Sequence, residues 1–194
     1  MINESTPARP RLSVFIASSL DGYIATLDGD LGWLESAARA DEDYGYEIFL
    51  ADVDALAMGR GTYDHIAHLE PLPFGDRPVF VFTHRPPADR SGVTFWQETP
   101  ESAVDKWSTL GLNRIYVDGG NLISDFLAVG LIDDMVLTKV PLLLGQGLPL
   151  FRPMAVTTGL RLVGVRSWPS GMVNLSYARL GVAEAQPTLG RYEE

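Results

Sequence analysis

A mixed α/β domain on a mostly parallel sheet is what this 194-residue sequence predicts, on three observations. Short apolar strands alternate with helical segments over the first two thirds of the chain, strands alone follow in the last third, and glycines stand where strands run into helices. Alternation argues for parallel pairing with flanking helices, and the consecutive C-terminal strands argue for antiparallel pairing at one edge.

Residues 1–10 are polar and proline-containing and read as a tail, residues 11–180 as a single domain, and residues 181–194 as a second tail. Residues 11–18 form the first strand, and Asp21-Gly22 marks a bend into a second extended piece. A Gly- and Asp-rich stretch leads to Trp33-Leu34, and residues 37–50 have the composition of one helix, with an acidic outer face. Residues 53–58 read as a buried strand, 62–68 as a helix start, 77–83 as a third strand and 93–96 as a further extended piece. Thr99 is placed to cap a helix with Pro100 at its first position, running to Leu110 and stopping at Gly111. Residues 115–117 are β-branched or aromatic, whereas Leu122, Ile123, Phe126 and Leu127 recur at helical spacing, so the period changes at Gly119-Gly120. Residues 131–144, 159–168 and 172–180 are extended in character.

With 46% hydrophobic residues the chain can bury a substantial core. Its 25 acidic and 15 basic residues give a net charge of −10 without a Lys/Arg cluster, which argues against nucleic-acid binding. The absence of cysteine removes disulfides, thiolate nucleophiles and Cys-based zinc sites, and three scattered histidines make no metal motif. No stretch has the apolar length of a membrane span and the N-terminus has no signal region, so the expected location is the cytoplasm.

Two strand-to-helix turns carry the functional signal. Gly119-Gly120, with Asn121 and Leu122, lets the backbone lie against a ligand while the first helical N–H groups point outward, a site for phosphate. A turn that needs glycine for geometry alone is the alternative. Gly59-Arg60-Gly61-Thr62 repeats the arrangement and adds a guanidinium able to hold phosphate bidentately, with Thr62 as a candidate cap. In open α/β sheets ligands sit outside the carboxyl ends of strands, so these two turns and Thr83-His84-Arg85 would line one crevice of dinucleotide length. His84 and Arg85 would meet an adenosine 2′-phosphate, favouring NADP over NAD, unless they are solvated loop charges before Pro86-Pro87.

Five motifs in order resemble the C-terminal reductase domain of the bifunctional riboflavin-biosynthesis protein, within the dihydrofolate reductase-like superfamily. They are Ser19-Leu-Asp-Gly-Tyr-Ile-Ala25, Met58-Gly-Arg-Gly-Thr-Tyr63, Val117-Asp-Gly-Gly-Asn-Leu122, Leu131-Ile-Asp-Asp-Met-Val-Leu137 and Pro141-Leu-Leu-Leu-Gly-Gln-Gly-Leu-Pro-Leu-Phe151. The resemblance implies an eight-stranded mixed sheet, commonly a homodimer, and an NADPH-dependent reductase of a small heterocyclic substrate. It further implies that Gly59, Arg60, Thr62, Gly119, Gly120, Asn121 and Leu122 bind phosphates, that Thr83, His84 and Arg85 meet the 2′-phosphate end, and that Ala17 and Ile24 flank the nicotinamide. Only ten residues precede the first strand, so a stand-alone reductase without the deaminase is expected.

The substrate side is less marked. Dihydrofolate reductases carry an acid on the helix after a Trp; here the corresponding helical spacing lands on Gly45 among Asp41, Glu42, Asp43 and Glu47, which read equally as a solvated face. Asp21, Trp33 and Tyr46 are the substrate candidates: Asp21 to orient a ring or simply to make a turn, the aromatics to stack on it or to serve the core. No general acid stands out. Dihydrofolate reduction and a catalytically silent nucleotide-binding dimer remain the competing readings.

Overall fold

The computed structural model describes residues 8–181; the tails read at 1–10 and 181–194 lie outside it except for residues 8–10 and 181. The chain runs β1 (Arg11–Ser19), β2 (Tyr23–Ala25), α1 (Gly32–Ala37), α2 (Tyr46–Ala51), β3 (Ala55–Gly59), α3 (Arg60–Ile66), β4 (Val79–Phe82) and β5 (Val93–Trp96). It continues through α4 (Pro100–Thr109), β6 (Arg114–Asp118), α5 (Gly120–Ala128), β7 (Asp134–Val140), β8 (Leu148–Pro149), β9 (Leu160–Ser167) and β10 (Val173–Arg179).

Eight strands make one sheet in the order β5-β4-β3-β6-β1-β7-β10-β9, and β2 pairs with β8 in a separate ribbon. All neighbours from β5 to β7 are parallel, while β10 is antiparallel to both β7 and β9. The expected class therefore holds, with one refinement. The first C-terminal strand, β7, joins the parallel set beside β1, because α5 supplies the crossover that returns the chain to the same edge.

Strand alternation gives the central sheet two apolar faces. One packs Leu12, Val14, Ile115, Val117 and Leu137 against α4 and α5, where Trp107 is stacked between Trp96 and Phe126. The other packs Phe15, Leu56, Met58, Tyr116 and Val136 against Phe49 of α2 and Tyr63 of α3. Each large side chain wholly removed from water in this way contributes about 1.5–3 kcal/mol.

Helix α4 begins as read, with the Thr99 side chain accepting from the Ser102 N–H and Pro100 in the first turn. The helix expected over residues 37–50 is instead two short ones. Ala38 is extended, Tyr44 has φ 57° and Gly45 has φ 81°, so the backbone turns left-handed before α2; Asp43 secures that turn by accepting from the Gly45 and Glu47 N–H groups. Helix α3 starts two residues earlier than read, with Gly59 as its cap residue, so Thr62 lies inside the helix and caps nothing.

Candidate active site

The carboxyl ends of β3, β4, β5 and β6, with the middle of β1, open onto one cavity of about 770 Å³. Gly59, Phe82, Trp96 and Asp118 stand at those strand ends, and Ile16 and Ala17 supply the β1 wall. A crevice at this edge is where an open α/β sheet accepts ligands.

The two glycine turns meet inside it. A Cβ on Gly119 would lie 2.5 Å from Thr62 Oγ1, so the β6-to-α5 turn is pressed against α3. Gly119 also has φ 91°, a conformation that side chains rarely adopt. A Cβ on Gly120 would lie 2.8 Å from the Pro149 carbonyl and 2.9 Å from that of Leu150. At Gly59 and Gly61 the situation is reversed: a Cβ there meets nothing within 4 Å, and Gly59 has an ordinary extended backbone. Neither packing nor backbone geometry demands glycine at 59 and 61, and both residues line the cavity. Space kept open by glycine against a cavity fits a ligand backbone such as a diphosphate lying close to the chain. Helix α5 adds its N-terminus, which no side chain caps.

Arg60 donates to the Asp64 carboxylate at 2.6 Å and to the Arg85 carbonyl at 2.7 Å, and the Arg85 N–H donates to Thr83 Oγ1 at 3.1 Å. The α3 turn and the loop after β4 are thereby tied into one rim. Ala17, Ile24, Gly59, Arg60, Thr62, Thr83, His84, Gly119, Gly120, Asn121 and Leu122 all line the cavity; Arg85 does not, and takes part through its carbonyl.

The substrate candidates are placed otherwise. Asp21 lies outside the cavity and fastens two loops, accepting from Ser19 Oγ at 2.6 Å and from the N–H groups of Gly145 and Leu144 at 2.7 and 3.2 Å. Those bonds hold its carboxyl below the usual range, the Ser19 hydroxyl contributing most. Gly147 in the strapped loop passes so near β2 that a Cβ would lie 2.3 Å from the Ala25 carbonyl. Trp33 packs with Val140 and Met172, away from the cavity. Tyr46 stands behind the lining, edge-on to Phe15 and Tyr116. None of Asp41, Glu42, Asp43 and Glu47 reaches the cavity, so the helix after Trp33 supplies it no carboxylate.

Three carboxyls are among the described residues that line the cavity: Glu98 is bonded to Ser102 and Lys106, Asp125 is paired with Arg152, and the third is Asp118, the last residue of β6. It shares a sheet face with Tyr116, two residues back, so it opens toward Phe15, Leu34 and Ile66 rather than toward α5. Burial raises its pKa to about 6, partly offset by the Gly119 N–H. Burial, with Asp118 as a second cause, likewise pushes the Tyr46 phenol up to about 12 and the Tyr116 phenol well above its ordinary value, and Tyr116 donates to the Phe15 carbonyl at 2.8 Å. The two phenols stay protonated while the carboxyl titrates at about 6. Sequence reasoning passed over Asp118 because Asp-Gly-Gly reads as turn chemistry; the available signal was a carboxylate closing an apolar strand at the edge where ligands bind.

The family model of the RibD C-terminal domain matches residues 10–174. The Bacillus subtilis (strain 168) protein YwjB is 36% identical over 169 residues, covering 86% of this chain and 96% of its own. A crystal structure from Shewanella sp. PV-4, provisionally named for riboflavin biosynthesis, superposes with a TM-score of 0.80 at 33% identity over 87% of this chain and 98% of that one. The Thermotoga maritima diaminohydroxyphosphoribosylaminopyrimidine deaminase/5-amino-6-(5-phosphoribosylamino)uracil reductase shares the fold, with a TM-score of 0.67 at 18% identity over 88% of this chain and 57% of that one.

Proposed function

The chain belongs to the RibD C-terminal domain family, a family of reductases of riboflavin biosynthesis, and from that premise we propose that it is an NADPH-dependent reductase acting on a C=N or C=O bond of a small pyrimidine- or pterin-like heterocycle. The observation that supports this best is the pairing, across one cavity, of the open Gly59–Gly61 turn with the buried carboxyl of Asp118, whose pKa burial raises to about 6. When bound, the reduced nicotinamide supplies the hydride. The rest of the chemistry belongs to this chain. Gly59 and Gly61 let a diphosphate approach the backbone, the α5 N–H groups face its charge, and the Thr83-to-Arg85 loop receives the 2′-phosphate end. Ala17 and Ile24 exclude water from the ring. Asp118 holds a proton up to about pH 6 and gives it to the substrate atom on which negative charge develops.

Substrate-dependent oxidation of NADPH tests the reading, and Asp118→Asn should lower kcat by about a hundredfold, the usual worth of a positioned acid. Nucleotide binding without turnover of any pyrimidine, pterin or folate would instead establish the silent binding protein. Dihydrofolate as the physiological substrate has less support, because none of the acids of residues 41–47 lines the cavity and three are engaged elsewhere: Asp41 accepts from Arg39, Glu42 from Ser170 and Asp43 from the start of α2.

A homodimer is part of the same proposal. Leu160, Leu162 and Val165 of the edge strand β9 stand exposed, an apolar row suited to burial against a second copy. Light scattering on the purified protein should give twice the chain mass, and a monomer would contradict the pairing.

A further inference from the structure

Among the described residues that line the cavity, the fixed positive charges are Arg60 and Arg152. Arg60 is committed to the Asp64 carboxylate and the Arg85 carbonyl. Arg152 is held differently. It follows β8, where the Pro149 and Leu150 carbonyls lie against Gly120 at the start of α5. Its backbone N–H donates at 3.0 Å to Ser124 Oγ, a buried hydroxyl that in turn donates at 2.7 Å to the Gly120 carbonyl. Two hydrogen bonds thus fix the Arg152 main chain to the glycine turn. Its guanidinium meets Asp125 of α5 through Nη2, and Asp125 is its partner among the described residues.

This pair does little for the fold. Arg152 and Asp125 are 43% and 47% exposed, and an ion pair in that setting contributes little to stability. The carboxylates that brace the fold stand at the other end of the parallel strands, where Asp133 and Asp134 are buried against Arg9 and Arg11. At Arg152, by contrast, an anchored main chain carries a guanidinium at the cavity wall on a solvated partner. The guanidinium fork matches two oxygens of a phosphate, a charge-assisted contact stronger than a half-exposed carboxylate supplies. In a chain of net charge −10, a ligand with several phosphates depends on such local cations.

We propose that Arg152 is a binding residue for the dinucleotide, exchanging Asp125 for the diphosphate that lies against the glycine turns. The inference rests on the reductase reading above and adds a cation to it. The tie through Ser124 sets Arg152 beside Gly120, and Asp125 stands one helical turn beyond Asn121, a lining residue, so the diphosphate rather than the 2′-phosphate is the group within reach.

The test is calorimetry of the full chain with NADPH and with NADH, which share the diphosphate and differ in the 2′-phosphate. Arg152→Ala should weaken both about tenfold or more, by the same factor. Asp125→Asn releases the guanidinium and should tighten both about threefold, whereas a pair that merely braced the loop would be weakened by either substitution. Arg152→Lys keeps the charge and loses the fork, so it should recover only part of the affinity. All three variants should fold as wild type does, because the pair is half-exposed. Undiminished binding by Arg152→Ala, full affinity in Arg152→Lys or weaker binding by Asp125→Asn overturns the proposal and leaves the reductase reading standing. A loss confined to NADPH overturns the diphosphate assignment. Failure of the wild-type protein to bind either nucleotide overturns both readings.

Discussion

The two glycine turns look alike in sequence and differ in what makes them glycine. At Gly119 and Gly120 the protein fills the space a side chain would need, with Thr62 on one and the Pro149 and Leu150 carbonyls on the other. At Gly59 and Gly61 nothing fills it. Glycine in the first turn is a requirement of the fold; glycine in the second has no structural cause, which is why the proposal assigns it to a ligand. A strand-glycine-helix pattern alone does not separate these cases, because both are the same backbone problem until the neighbours are placed.

Substitutions can break that comparison. The largest effect belongs to Gly120→Val, which drives a branched side chain into two backbone carbonyls and should cost about 3 kcal/mol or more, read as a collapse of the melting temperature whatever ligand is present. A stable Gly120→Val protein would remove the distinction between the turns. Next comes Asp118→Asn, expected to lower kcat by about a hundredfold without loss of fold. The third is Gly59→Val, which meets open space and should fold normally while weakening dinucleotide binding about tenfold or more, by calorimetry. The smallest is Gly61→Ala in α3, where replacing glycine in a helix should stabilise by about 0.5–1 kcal/mol as dinucleotide affinity falls. A rise in stability with unchanged affinity would show that the open face of α3 does not touch the ligand.

Acidity sharpens the same contrast. The Asp118 pKa is raised from 3.8 to about 6 in the folded chain, so between those values the native state holds a proton that the unfolded chain has lost. Stability therefore falls as pH rises through that window, and the cost persists above it. Asp118→Asn should be more stable than wild type above about pH 6 and should lose that advantage below about pH 4, by urea melts across the range. Turnover should decline as pH rises past about 6, and a rate that climbs instead would exclude Asp118 as the proton donor.

The parts legible in the sequence were those encoded by local chemistry. Thr99, Pro100 and Gly111 mark both ends of α4, and the apolar runs mark the strands of the parallel set. The break between α1 and α2 was hidden because an acidic run with apolar spacing suits a helix, while the left-handed turn at Tyr44 and Gly45 is stabilised by Asp43 and by Asn174, whose side chain donates to the Tyr44 carbonyl from β10. The glycine-built rim of the cavity was legible because backbone turns make it. The part of the wall around Asp118 was not: Phe15, Leu34, Ile66 and Asp118 come from four elements and look like ordinary core and turn residues until the sheet order brings them together. Trp33 and Tyr46 illustrate the converse, aromatics that suggest stacking and serve the core.

The most direct test of the account is titration of wild type and Gly59→Val with NADPH and with NADH, followed through the fluorescence of the four tryptophans, of which Trp96 lines the cavity. The account predicts saturable quenching of wild type with tighter binding of NADPH, and loss of most of that affinity in Gly59→Val. Equal binding of NADPH by both proteins, or by neither, would contradict the claim that the open glycine turn is a dinucleotide cradle.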